Sequence, residues 1–190
     1  MKRAAFLDRD GVITKSVIRN GKHCAPFSLE EFELIGDASE GITVLKKAGL
    51  NVVVVTNQPD VGKGEVAKDV VEAMHERLRA QAPLDDIKVC FHTNADQCEC
   101  RKPKPGMLRQ AAKEMNIDLS RSFMVGDRWS DMEAGRAAGC FTILIGDGYG
   151  EKFSINPDMK AASLWEASQI MLSSLSVSFQ PNSPRVDWRQ

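Results

Sequence analysis

Four consecutive valines, Val52 to Val55, sit between Asn51 and Thr56. A strand with one wet face alternates apolar and polar residues. A run without alternation is a strand covered by helices on both faces. Similar apolar runs recur at Ala4–Leu7, Ile87–Phe91, Ser122–Val125 and Phe141–Ile145. Helical patterns lie between them. Ala38 to Ala48 places Ile42 and Leu45 on one face, with Asp37 as a plausible N-cap and Gly49 just past the end. Val66, Val70, Met74 and Leu78 recur every fourth residue, and Leu108, Ala111, Ala112 and Met115 line a helix over Met107–Met115. Asp131–Ala138 is a short helix closed by Gly139, and Leu164–Leu172 a final one. This alternation predicts an α/β fold of three layers, a mostly parallel Rossmann-like sheet with helices on both faces.

The chain has 190 residues, enough for one core, and residues 1–175 are read as a single domain. Residues 176–190, rich in Ser and Pro, are read as a flexible tail, in which Trp188 has no assigned role. A formal net charge of −1 offers no field for nucleic acid or an anionic membrane. No apolar run is long enough to span a bilayer, and the start of the chain does not read as a signal peptide. A cytoplasmic monomer acting on a small molecule is expected.

Ligands of parallel sheets bind beyond the carboxyl ends of the strands. The polar residues that close the strands are Asp8, Asp10, Thr56, Asn57 and Asp127, so they should gather at one edge. Asp8 and Asp10 are two apart at a strand end and point the same way until the turn at Gly11 begins. Carboxylates aimed together need a cation or a shared proton. Magnesium takes hard oxygen ligands, and Asp127 offers another. A carboxylate can also attack phosphorus. Taken alone, Asp8-Arg9-Asp10-Gly11 suits a plain loop or a calcium-type turn equally well.

Cys90, His92, Cys98 and Cys100 follow the pattern C-x-H-x5-C-x-C. Three thiolates and one imidazole complete a tetrahedral zinc set with no position left for water, hence a structural ion. Cys24 and Cys140 are read as ordinary thiols, and His23 and His75 receive no role. The cysteine loop runs into Arg101-Lys102-Pro103-Lys104-Pro105, so an ion there would stiffen the segment that carries Arg101 and Lys102.

Together these segments resemble the motifs of the haloacid dehalogenase (HAD) superfamily of phosphatases. Asp8-Arg9-Asp10-Gly11-Val12-Ile13 resembles the first motif, Thr56 the second, Lys102 the third, and Gly126-Asp127-Arg128-Trp129-Ser130-Asp131 the fourth. The resemblance implies that Asp8 is the nucleophile and that Asp10 protonates the leaving oxygen and then deprotonates water. It implies that Thr56 and Asn57 bond phosphoryl oxygens, and that Lys102, with Arg101, holds charge on Asp8 and phosphate. Magnesium would lie on Asp8, Asp127 and the Asp10 backbone carbonyl. Asp131 would be a neighbour of the site or only a helix N-terminal acid. Too few residues separate the motifs for a large cap.

The C-x-H…C-x-C-R-K-P segment resembles the branch holding the D-glycero-D-manno-heptose 1,7-bisphosphate phosphatases and the histidinol-phosphate phosphatase domain. Asn57-Gln58-Pro59-Asp60-Val61-Gly62-Lys63-Gly64 is similar to the heptose enzymes' N-Q-S-G-I-x-R-G, with Pro59-Asp60 for Ser-Gly and Lys63 for Arg. It implies substrate contacts from Gln58 and Lys63, and Arg128 stands where those enzymes commonly carry Lys. The five-residue spacer is closer to the histidinol-phosphate members. The resemblance implies hydrolysis of heptose 1,7-bisphosphate to heptose 1-phosphate, with histidinol phosphate or another small phosphomonoester as the alternative. A HAD-like binding module without turnover and a nucleic-acid phosphatase rank below both.

Overall fold

The computed structural model describes residues 1–176; the expected tail lies outside them except for Ser176, which ends the last helix. In chain order the elements are β1 (Ala4–Leu7), β2 (Val17–Arg19), β3 (Lys22–Cys24), α1 (Ala38–Lys47), β4 (Asn51–Asn57), α2 (Pro59–Gly62), α3 (Lys68–Gln81), β5 (Asp86–Cys90), α4 (Gly106–Met115), β6 (Phe123–Gly126), α5 (Trp129–Ala138), β7 (Phe141–Ile145), β8 (Met159–Ala161) and α6 (Leu164–Ser176). Six strands form one sheet in the order β5-β4-β1-β6-β7-β8. Every pairing in it is parallel.

The apolar strands are double-faced because successive side chains point to opposite sides. Along β1 and β4, Ala5, Leu7, Val52 and Val54 pack with Ile42 and Leu45 of α1, Met74 and Leu78 of α3, and Leu164, Ala167 and Met171 of α6. Ala4, Phe6, Val53 and Val55 pack on the other side with Met107, Leu108 and Ala111 of α4 and Ala134 of α5. Two hydrophobic layers therefore clamp β1 and β4, and the ends of these strands become rigid mounts for side chains.

Three local features differ from the sequence expectation. Asp37 occupies the N-cap of α1, but its side chain makes no capping bond. The buried stripe of α3 is Val71, Met74, His75 and Leu78, whereas Val66 precedes the helix. A strict four-residue repeat drifts around a helix of 3.6 residues per turn, so the true stripe runs i, i+3, i+4, i+7 and takes in His75. The hairpin β2–β3 and the edge strand β8 carry too few apolar residues to show as apolar runs. The hairpin is turned by Asn20 and Gly21, both at positive φ (51° and 72°), a strong local signal for such a turn. Among the described residues this hairpin is the only pair of strands between β1 and α1, and no large cap intervenes. No helix in them is long and apolar enough to cross a membrane.

Candidate active site

The sheet order reverses at β1, whose neighbours are β4 and β6. Connections leave such a point in opposite directions and open a crevice at the strands' carboxyl ends. Asp8 follows β1 directly, and its N–H donates to Val125 O of β6 at 2.9 Å. Asp127 follows β6, and Asp131 lies in the first turn of α5. One carboxylate oxygen from each of these three buried residues lies within 4.8 Å of the others. Glycine at position 11 permits this closeness: its φ is +92°, and a Cβ there would stand 1.8 Å from Asp127 Oδ2.

Lys102 is the cation of this group. Its ammonium has three protons to place, and it reaches three oxygens: Asp8 Oδ1 at 2.7 Å, Asp131 Oδ1 at 2.6 Å and Val55 O at 2.8 Å. Asp131 therefore lies closer to the chemistry than the sequence indicated. Its other oxygen accepts from Arg128 N at 3.0 Å, so it closes the first turn of α5 as well. Lys102 is itself fixed by Asn57, whose Nδ2 donates to Lys102 O at 3.0 Å while its Oδ1 accepts from Lys102 N at 3.1 Å.

Three buried carboxylates against one ammonium leave two negative charges uncompensated. Burial raises the pKa of Asp8 to about 6, with Lys102 opposing the rise and Asp131 and Asp10 adding to it. Burial also pushes Asp127 well above the usual carboxylate range, reinforced by Asp8 and Asp131. Asp127 Oδ1 is buried and accepts no hydrogen bond. Buried oxygens without donors, arranged around a surplus of two negative charges, fit a hard divalent cation.

Asp10 is turned away from this trio. Arg9 grips both of its oxygens, Nε to Oδ1 and Nη2 to Oδ2, each at 3.0 Å. Thr14 donates to Oδ1 at 3.0 Å and Gln58 to Oδ2 at 2.8 Å. Its carboxylate thus stands apart from the three-acid group and is available for other work. Gln58 donates in addition to Thr56 Oγ1 at 2.8 Å, and a hydroxyl that accepts keeps its own proton to donate.

Four residues expected to contact substrate are paired within the protein. The Asn57 amide is spent on the Lys102 backbone. Arg101 turns into the cysteine loop, donating to Asn94 Oδ1 at 2.7 Å and His92 O at 3.3 Å. Lys63 pairs with Asp60 at 2.8 Å, on α2 and its end. Arg128 bonds Glu151 Oε1 at 2.6 Å and His23 O at 2.7 Å. The sequence reading missed Tyr149, whose hydroxyl donates to Asp127 Oδ2 at 2.6 Å and whose ring stacks on His23 with centroids 4.0 Å apart. Tyr149 sits at φ +57° between two glycines also at positive φ, a sharp loop that aims one bulky side chain inward. That Gly-Tyr-Gly signal was the only local clue.

Beside this site, Cys90, Cys98 and Cys100 are free thiols. Their sulfurs are 3.1–3.6 Å apart, and His92 Nδ1 lies 3.2 Å from Cys100 and 3.7 Å from Cys90. A disulfide would need about 2.05 Å. A tetrahedron with Zn–S near 2.3 Å has S···S edges of about 3.8 Å and S···N edges of about 3.6 Å. The four side chains already approximate that cage, and the donor set suits a thiophilic ion.

A parallel sheet in this order, with a buried acid after its first strand and a lysine delivered onto it from a distant loop, defines a HAD-type hydrolase. The HAD-hydrolase-like family model matches residues 99–167. The D-glycero-beta-D-manno-heptose-1,7-bisphosphate 7-phosphatase of Pseudomonas aeruginosa is 41% identical over 150 residues, 76% of this chain and 82% of that protein. The D-glycero-alpha-D-manno-heptose-1,7-bisphosphate 7-phosphatase of Photorhabdus laumondii is 33% identical over 159 residues, 76% of this chain and 84% of that one. A crystal structure of the D,D-heptose 1,7-bisphosphate phosphatase from B. bronchiseptica, complexed with magnesium and phosphate, matches with a TM-score of 0.78 at 29% identity, covering 92% of this chain and 99% of that one. The chain belongs to the heptose-1,7-bisphosphate 7-phosphatase family of HAD hydrolases and is a phosphoric monoester hydrolase.

Proposed function

We propose that the protein removes the 7-phosphate of a D-glycero-D-manno-heptose 1,7-bisphosphate and leaves the 1-phosphate. The observation that carries this is Asp8, buried against Lys102 at the rim where β1 and β6 part, with Asp10 two residues on and held separately. An Asp8 oxygen attacks phosphorus, and the bond to the sugar oxygen breaks. Asp10, as the acid, gives that oxygen its proton. Asp10 then takes a proton from the water that hydrolyses the aspartyl phosphate and frees inorganic phosphate. Lys102 holds Asp8 in place, and the Thr56 hydroxyl donates to a phosphoryl oxygen. Asp8, Asp127 and the Asp10 backbone carbonyl would hold Mg²⁺, with Asp131 alongside. Once bound, the ion supplies charge neutralisation for the phosphoryl group. Cys90, His92, Cys98 and Cys100 would hold a structural Zn²⁺ that braces the loop ahead of Lys102. Arg128, paired with Glu151, and Lys63, paired with Asp60, would exchange those carboxylates for the second phosphate.

Relatives are named for both anomers, so the assay must carry both. The α- and β-heptose 1,7-bisphosphates and histidinol phosphate are compared by kcat/KM, with ³¹P NMR to show which phosphate leaves. A heptose bisphosphate is expected to lead, with loss from position 7. A wide margin for histidinol phosphate would overturn the proposal. Asp8→Asn is expected to be folded and inactive.

A further inference from the structure

Arg9 is wholly buried and stands between Asp8 and Asp10 in the chain, yet the proposed reaction gives it no part. Its guanidinium spends Nε and Nη2 on Asp10. The remaining arm, Nη1, lies 3.0 Å from Nε2 of His75. Arginine is only a donor, so Nε2 accepts and the ring is neutral with its proton on Nδ1. Burial, then the Arg9 charge, holds the His75 pKa down to about 4, in keeping with that form. His75 belongs to the buried stripe of α3, which packs on the sheet through Met74 and Leu78. The Phe32 ring lies under the guanidinium, 5.7 Å from Cζ. Arg9 is therefore fixed at both ends and on one face, and among the described residues Asp10 is the partner of its Nε–Nη2 fork.

A fork is a directional clamp. It sets the plane of the carboxylate it grips, but only as firmly as its own far end is anchored. We propose that His75 is a positioning residue for the proton transfers of Asp10, acting through Arg9: its Nε2 holds the guanidinium so that Asp10 stays at the angle its acid role needs. The inference rests on the acid role given to Asp10 above. An ordinary core histidine would affect stability and leave the chemistry of the leaving group untouched.

Leaving groups separate the two. A good leaving group departs without a proton and a poor one needs it. The test is kcat/KM across ring-substituted phenyl phosphates, from 4-nitrophenol to phenol, for the Mg²⁺-loaded full chain, His75→Leu, His75→Gln, Arg9→Lys and Asp10→Asn. His75→Leu is expected to lose about tenfold or more on phenyl phosphate and less than about threefold on the nitrophenyl ester, a fraction of the total acid contribution. Its dependence on leaving-group pKa steepens accordingly. His75→Gln keeps an acceptor near Nε2 and retains the parent slope. Arg9→Lys keeps the charge without the fork and steepens like His75→Leu, a second reading should the leucine variant not fold. A parallel fall across the series in the folded variants, or an unchanged slope, overturns the proposal. If Asp10→Asn itself shows no steepening, the acid role and the proposal fall together. Steepening in Asp10→Asn but not in His75→Leu or Arg9→Lys overturns the positioning role alone.

Discussion

Lys102 Nζ stands 2.7 Å from Asp8 Oδ1, a buried pair joined across 94 positions of the chain. Two further residues make the approach possible. Asn57 clasps the lysine's backbone, and Asp131 shares its ammonium. Removing one partner of a buried pair leaves the other's charge exposed to a poor solvent. Lys102→Met is expected to lower unfolding free energy by about 3–5 kcal/mol in metal-free buffer. Phosphate release should fall by at least about 10²-fold, since a donor aimed at developing charge is lost. Urea unfolding and a phosphate assay measure both. Unfolding at the parent midpoint would contradict the charge balance described.

The three-acid group makes the protein's response to magnesium depend on pH. The Asp8 pKa is about 6 in the folded, metal-free chain against 3.8 for the free side chain. The folded state therefore binds more protons than the unfolded one between these values. Metal-free stability should fall as pH rises through that window. Asp127 is shifted the same way. Magnesium needs ionised carboxylates, so its stabilising effect should be small at about pH 5 and grow as pH passes about 6. Melting curves with and without MgCl₂ at several pH values test this; an equal shift at every pH would refute it.

Tyr149 bonds Asp127 Oδ2 and leaves Oδ1 without a donor. It orients the acid with one oxygen turned to where a cation would sit. Tyr149→Phe keeps the ring stack on His23 and removes only the hydroxyl. The magnesium dissociation constant is expected to rise on the order of tenfold, with little change in melting temperature without metal. Isothermal titration calorimetry reads the first quantity directly.

Elemental analysis should find close to one zinc per chain. Cys98→Ser should lose most of it, lower the melting temperature and reduce turnover, because the loop from Cys90 to Cys100 leads straight into Lys102. Chelation of the parent should reproduce these effects, and zinc should restore them. A metal-free protein with full stability and activity would remove the ion from the account.

The alternation of apolar runs and amphipathic stretches was enough to read the layered fold. It works because the hydrophobic pattern is local and a strand buried on both faces has no other way to look. The strand-end acids Asp8 and Asp127 and the cysteine–histidine group were legible for the same reason, one by its position after an apolar run, the other by its compactness. The hairpin β2–β3 and the edge strand β8 were not, since short strands form where a neighbour offers hydrogen bonds and carry little apolar signal of their own. Only the tertiary structure decided where side chains of equal charge point. Lys102 turns inward and Arg101 outward from adjacent positions, Asn57 serves a backbone, Asp131 joins Lys102, and His75 reaches Asp10 through Arg9. Those choices depend on which donors and acceptors distant segments bring within 3 Å of each other, and no local pattern records that.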